Sequence, residues 1–372
     1  MSDPVLFTEV TAQQGKRIGI ATLNKPQALN ALGLDMVELL LPQLRMWQDD
    51  PDIACVMLDS EGPKAFCAGG DIVAMYRAMQ EQPGQIPDFL HNFFVEEYRL
   101  DHLIHTYSKP FIVWGNGIVM GGGMGLMNGA SHRIVTATSR LAMPEISIGL
   151  YPDVGGSYFL NRMPGKTGLF LGLTGASINA SDAIYLRLAD HFIPHEEKER
   201  FIESLQALVW DEDANQSLND LCRCFHEEHH GQMPTHNVEN HLDVINSVCA
   251  ADNLTDVVDA IVNMDCGEDK WLSRAKATLE AGSPITAHIV WQQLHRANSL
   301  SLADCFRMEA DISCRCGEFG EFQEGVRALL IDKDNNPAWR FSSVDEVPAD
   351  IVEFFFSSPW SQDDHPLANL GE

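Results

Sequence analysis

Long hydrophobic runs are missing from this 372-residue chain. None approaches the roughly 18 consecutive apolar residues of a membrane-spanning helix. Positive charge is scarce: 25 Lys and Arg stand against 53 Asp and Glu, for a net charge of −28. That balance disfavours nucleic acid and anionic membrane surfaces as partners, since both need cationic patches. An anionic small ligand stays open, because a few local cations or backbone N–H groups can hold one. No repeat of fixed period and no low-complexity tract is present. With 45% hydrophobic and 21% charged residues, disorder and collagen-like structure are excluded. The nine cysteines are odd in number and lack framework spacing, which reads as free thiols in a reducing compartment. The opening MSDPVLFTEV has no basic stretch followed by an apolar one and is too acidic for a mitochondrial presequence. The expectation is a cytoplasmic protein.

What is present is an α/β rhythm. Arg17–Leu23, Ile53–Leu58, Phe111–Trp114 and Arg133–Ala137 read as strands, several of them continuous apolar runs of the kind buried on both faces of a parallel sheet. Between them, Leu34–Trp47 shows helical spacing of Met36, Leu39, Leu40, Leu44 and Trp47, and a broken helical region runs to about Tyr107. Repeated β–helix–β units imply parallel pairing. Residues 211–241 are acidic and His-rich, and helical patterns follow around 253–264, 269–281, 284–296 and 302–315. The length predicts two or three units. The expected division is an α/β core over residues 1–210 and a helical region over 211–372 packing on it.

Three glycine-rich segments concentrate the chemistry. Ala68-Gly69-Gly70-Asp71 and Gly121-Gly122-Gly123 each leave bare backbone near a helix start, where N–H groups serve as anion sites or oxyanion donors. Taken singly, such clusters are most often turns or close-packing positions. Neither has the Gly-Lys-Ser/Thr ending of a phosphate-binding loop, and neither matches the dinucleotide fingerprint. The third segment, Met143 to Ser157, places Glu145 and Asp153 among apolar and glycine residues. Ionised carboxylates rarely sit there unless paired, hydrogen-bonded or catalytic. The plainer alternative for Asp153 is a cap on a helix starting at Val154-Gly155-Gly156.

Together the segments resemble the crotonase (enoyl-CoA hydratase/isomerase) superfamily, and within it the 3-hydroxyisobutyryl-CoA hydrolase branch. The resemblance rests on Leu23-Asn24-Lys25-Pro26 with Leu29–Leu32, Lys64–Ile72, Met120–Gly123, Met143-Pro144-Glu145 and Tyr151–Gly156. Downstream, Glu324–Asp334 with Pro337-Ala338-Trp339 looks like that branch's C-terminal signature. It implies a crotonase-like spiral of stacked ββα units with a helical C-terminal region, and an acyl-CoA substrate. It implies no cofactor, since coenzyme A is part of the substrate, and it is compatible with a trimer-type homo-oligomer. By position, the Ala68 and Gly122 N–H groups would form the oxyanion hole. Glu97, Gly69, Gly70, Asp71 and Gly122 would line the substrate pocket, and Glu145 and Asp153 would be the acidic pair.

The branch turns on one position. The hydratases of the family carry a glutamate in the helix after the glycine triplet as well as one in the Pro-Glu dipeptide, because hydration needs one group to take a proton and one to give it. Here the first position is Gly125 and the second, Glu145, is kept. Asp153 stands where the hydratases usually have glycine. The expected activity is hydrolysis of a short 3-hydroxyacyl-CoA thioester, with an enoyl-CoA hydratase or isomerase and a non-catalytic acyl-CoA-binding protein as rivals. Glu145 could attack the carbonyl itself or activate water, and Asp153 could bind the substrate hydroxyl or position water. No metal is expected: Cys222, Cys224, His226, His229, His230 and His236 lack zinc-finger spacing. Cys67 reads as a packed cysteine. Lys25, Lys64 and Arg77 are candidate contacts for the CoA phosphates.

Overall fold

The computed structural model describes residues 3–210 and 214–372, so the acidic start of the 211–241 segment lies outside the described residues. The chain forms two compact units: Met1–Gly70, Leu103–Leu141 and Ile178–His236 make one, and Asp71–His102, Ala142–Ser177 and Asn237–Glu372 make the other. This division is not the one expected at residue 210. The chain crosses between units several times, because spatial neighbours are drawn from segments distant in sequence.

In the first unit, nine short segments pair into two sheets. The larger has the order β1-β2-β3-β5-β7-β9, with β1 Val5–Thr11, β2 Arg17–Leu23, β3 Ile53–Ser60, β5 Phe111–Gly115, β7 His132–Val135 and β9 His191–Phe192. Only the β1–β2 pair is antiparallel; β2 to β9 run parallel. The predicted strands all form. The strand expected at Arg133–Ala137 spans His132–Val135. One face of the sheet buries Ile18, Ile20, Met57, Ile112, Trp114 and Ile134 against Phe201, Leu205, Leu218 and Phe225, from the helices Lys198–Ala207 and Ala214–His229. On the other face Gly19 meets Trp47, the end of helix α1 (Leu34–Asp49), so closely that a Cβ would lie 2.7 Å from the indole. Helices on both faces explain the uninterrupted apolar runs of β3 and β5. The smaller sheet, β4-β6-β8, joins three-residue strands Ala65–Cys67, Ile118–Met120 and Arg140–Ala142.

The second unit is helical. It holds α2 (Ile72–Glu81), most of α3 (Asp88–His105), and the helices Leu254–Val262, Lys270–Ala281, Pro284–Ala297 and Leu302–Phe319. Each of the last four matches a helical pattern in the sequence. Their starts are fixed by side-chain caps: Asn253, Asp269, Ser283 and Ser301 each accept a backbone N–H three residues on.

Candidate active site

In the first unit, the two glycine-rich junctions pack on one another. Gly123, in the short helix α4 (Gly122–Asn128), approaches the Cys67 carbonyl so closely that a Cβ would sit 2.4 Å from it. Gly121 holds φ 47° and Gly69 holds φ 104°, conformations that favour glycine. Met124 N–H and Gly125 N–H both bond to the Gly121 carbonyl, at 2.7 and 3.3 Å. The first N–H of the helix, on Gly122, has no intrahelical acceptor.

The Ala68 expectation is corrected here. The Ala68 N–H donates to the Leu29 carbonyl at 3.1 Å. Leu29 ends a one-turn helix with φ 54°, which brings its carbonyl to that N–H. Two residues on, Gly70 bridges in parallel to Leu32, and Leu32 N–H bonds to the Gly69 carbonyl at 2.8 Å. In a parallel bridge the flanking residues make the bonds, which leaves the N–H of Gly70 pointing away from Leu32. Asp71 accepts the Ala74 N–H at 3.1 Å and caps α2. Cys67 is fully buried with its thiol 3.6 Å from the Gly69 carbonyl. Lys25 is paired with Asp35 at 2.9 Å, while Lys64 and Arg77 are exposed.

The second unit brings Glu97, Glu145 and Asp153 together, and adds two carboxyls that the sequence reading missed, Asp101 and Glu309. All five are at most 5% exposed. Glu97 and Asp101 lie one turn apart on α3. Glu145 begins a one-turn helix, Glu145–Ile148, that ends at Gly149 with φ 67°. A Cβ on Gly149 would meet the Glu321 carbonyl at 2.7 Å, and one on Gly325 would meet the Ile148 backbone at 2.3 Å. The C-terminal signature therefore braces the turn that carries Glu145. Ser283 completes the brace, donating its N–H to the Ile146 carbonyl and its hydroxyl to Glu321.

Asp153 is no cap. The helix Gly156–Phe159 starts at Gly155 without a side-chain cap, and Asp153 Oδ2 accepts from the Tyr98 hydroxyl at 2.7 Å. The helix start is served instead by Glu309, which accepts the N–H groups of Gly155 at 2.7 Å and Ser157 at 2.8 Å. Just before Gly155, Val154 sits at φ 52°, a strained conformation for a β-branched residue. Glu309 and Gln293, which donates to the Pro152 carbonyl at 2.7 Å, hold that strain in place.

Burial sets the electrostatics of this cluster. Desolvation pushes the carboxyls of Glu97, Asp101 and Glu145 well above the usual range, and their negative neighbours add to it. Glu309 is pushed up to about 8 by burial despite its two N–H donors. Asp153 rises to about 6, also by burial, with the Tyr98 hydroxyl opposing the rise. Burial therefore favours the neutral form across the cluster, and the Tyr98 hydroxyl gives the Asp153 anion its own support. Glu145 Oε2 and both oxygens of Asp101 are buried without a hydrogen-bond partner.

Asp101 yields a stability test. Its proton is held more tightly in the folded than in the unfolded chain, so its contribution to stability is full below about pH 4 and is lost as pH rises. Asp101→Asn cannot titrate. The melting temperature of this variant should gain on the wild type between pH 5 and pH 8, and parallel melting curves at both pH values would remove Asp101 from the titrating cluster.

Comparison with known proteins bears directly on this site. The enoyl-CoA hydratase/isomerase family model matches residues 18–356. The chain belongs to that family. This enoyl-CoA hydratase/isomerase family member is 38% identical to the mitochondrial 3-hydroxyisobutyryl-CoA hydrolase of Xenopus tropicalis, over 93% of this chain and 88% of the relative. It is 34% identical to the human protein of the same name, over 95% and 90%. Solved structures share the fold. One titled an enoyl-CoA hydratase, from Rhodobacter sphaeroides, has a TM-score of 0.82 at 33% identity over 96% of this chain and 98% of that one. One titled a carnitinyl-CoA dehydratase, from Mycobacterium thermoresistibile, has a TM-score of 0.85 at 32% identity over the whole of both chains. The crotonase fold is thereby shown. The cytoplasmic expectation is overturned: the vertebrate relatives are named as mitochondrial.

Asp101, Glu309, Tyr98 and Ser313 were missed because each sits inside a helical run that reads as core. One signal was available. In Leu302–Phe319 the buried face runs Cys305, Phe306, Glu309, Ala310, Ile312, Ser313, so a carboxylate falls on an otherwise apolar stripe.

Proposed function

We propose that this chain hydrolyses a short 3-hydroxyacyl-CoA thioester, with 3-hydroxyisobutyryl-CoA as its substrate, in valine breakdown. The observation that carries the reading is the set of carboxyls. Glu145 is kept and sits in a buried cluster with Asp153, while the helix position of the first hydratase carboxylate is Gly125. The names of the vertebrate relatives support the same reading. Water adds to the thioester carbonyl, the C–S bond breaks, and the products are the hydroxy acid and CoA thiol. Backbone N–H groups stabilise the oxyanion; Gly122 is one, and Gly70 takes the place first assigned to Ala68. Glu145 delivers the attacking oxygen, its own or that of a water molecule, and Asp153 engages the substrate hydroxyl or that water. Coenzyme A enters as part of the substrate, and the reaction as proposed uses no further cofactor.

The titles of the two solved relatives favour hydration as the second reading, and one assay separates the two. With 3-hydroxyisobutyryl-CoA the protein should release free thiol. With crotonyl-CoA the conjugated enoyl absorbance should persist, because Gly125 leaves the first carboxylate position empty. Loss of that absorbance without thiol release would restore the hydratase. The rate of hydrolysis should also climb with rising pH, since Glu145 must lose a proton that burial makes it hold.

A further inference from the structure

Behind Asp153 lies a closed chain of hydroxyl groups whose protons can be counted. The Tyr98 hydroxyl is 2.7 Å from Asp153 Oδ2 and 2.7 Å from Ser313 Oγ. Ser313 Oγ is 2.9 Å from the Tyr151 hydroxyl, which lies 2.7 Å from the Glu309 carbonyl oxygen. Tyr98, Tyr151 and Ser313 are fully buried. These are four contacts of hydrogen-bond length, and the three hydroxyls supply only three protons. With Asp153 ionised, Tyr98 donates to it and Tyr151 donates to the Glu309 carbonyl. Ser313 then bonds to only one of the two tyrosine oxygens, and one contact goes unbridged. With Asp153 protonated on Oδ2, every contact is bridged in one direction: Asp153 to Tyr98, Tyr98 to Ser313, Ser313 to Tyr151, Tyr151 to the carbonyl.

We propose that Ser313 and Tyr151 are positioning residues that ready Asp153 to take up a proton, with Tyr98 as a reversible link that donates to the anion and accepts from the acid. The inference deepens the hydrolase reading. Hydrolysis moves one proton from water to the CoA sulfur, and a carboxyl satisfied in both states can accept it and give it back. The proton count itself does not depend on the substrate.

The ionisable groups around Asp153 within its unit are Glu97, Tyr98 and Asp101 on α3, Glu145 and Tyr151 on neighbouring turns, and Glu309 and Cys316 on Leu302–Phe319. Removing the Ser313 or Tyr98 hydroxyl leaves all the carboxyls in place. The two removals differ in size. Ser313→Ala takes two bonds from the protonated state and one from the ionised state, so it should lower the midpoint of Asp153. Tyr98→Phe takes two neutral bonds from the protonated state and one charge-assisted bond, roughly twice as strong, from the ionised state, so it should move the midpoint less.

The test is a pH titration of the full-length protein, carrying carbon-13 in its aspartate carboxyls, by NMR, with the Asp153 resonance identified by its loss in Asp153→Asn. Ser313→Ala should shift the midpoint downward by about half to one pH unit, Tyr98→Phe should shift it less, and Ser313→Thr should restore the wild-type value. Tyr151→Phe provides a second downward shift should Ser313→Ala fail to fold by near-UV circular dichroism. An upward shift, or no shift, in Ser313→Ala would overturn the relay. The same variants assayed for thiol release keep the two readings apart. A protein that shows the NMR shifts but does not release thiol retains the relay and loses the hydrolase assignment.

Discussion

Glu145→Gln should lower thioester hydrolysis by about 10²–10⁴-fold, the usual worth of a group that carries a proton or attacks in the transition state. The amide is nearly isosteric with the carboxyl, and Glu145 Oε2 has no hydrogen-bond partner to lose. Folding should survive. Binding of the acyl-CoA should stay within a few fold, so the loss should fall on kcat and leave KM nearly unchanged. Burial raises the Glu145 carboxyl well above its ordinary range, and the wild-type rate should therefore fall on acidification while the residual rate of the variant is flat. The measurement is thiol release across pH with binding followed by calorimetry. A Gln variant with wild-type turnover would remove Glu145 from the chemistry.

Glu309→Ala should cause the largest loss of stability among the cluster variants. Its carboxyl accepts two buried backbone N–H groups, those of Gly155 and Ser157. Each orphaned donor costs about 1–3 kcal/mol. The strained Val154 lies between Asp153 and Gly155 and depends on that anchor to stay in its left-handed conformation. A drop in melting temperature of at least about 5 °C is expected, with loss of activity because Asp153 rides on the same loop. Glu309→Gln keeps one acceptor oxygen and should lose less. Thermal unfolding followed by circular dichroism decides; an Ala variant melting within a degree of the wild type would show that the loop holds itself.

The strands β2, β3 and β5 were legible because a parallel strand covered on both faces has to be a short, continuous apolar run. β1 was not: only Val5 within it is buried, so an edge strand leaves little hydrophobic signal. The three-residue strands of the smaller sheet are too short for any periodicity to register. The C-terminal helices were legible from their apolar spacing.

The residues proposed for catalysis are readable along the chain: the glycine junctions at 68–71 and 121–123, the acids Glu145 and Asp153, and the glycine at position 125. Those are local, since each is carried by consecutive residues whose backbone demands or side chains are visible in one dimension. Tertiary structure alone decided which N–H the Leu29 carbonyl occupies, which acids join Glu145 and Asp153, and that Tyr98, Ser313 and Tyr151 stand behind Asp153. Asp153 and Ser313 are 160 positions apart in the chain, and hydrogen bonding and desolvation depend on distance in space. No pattern along the sequence encodes that distance until the helices pack.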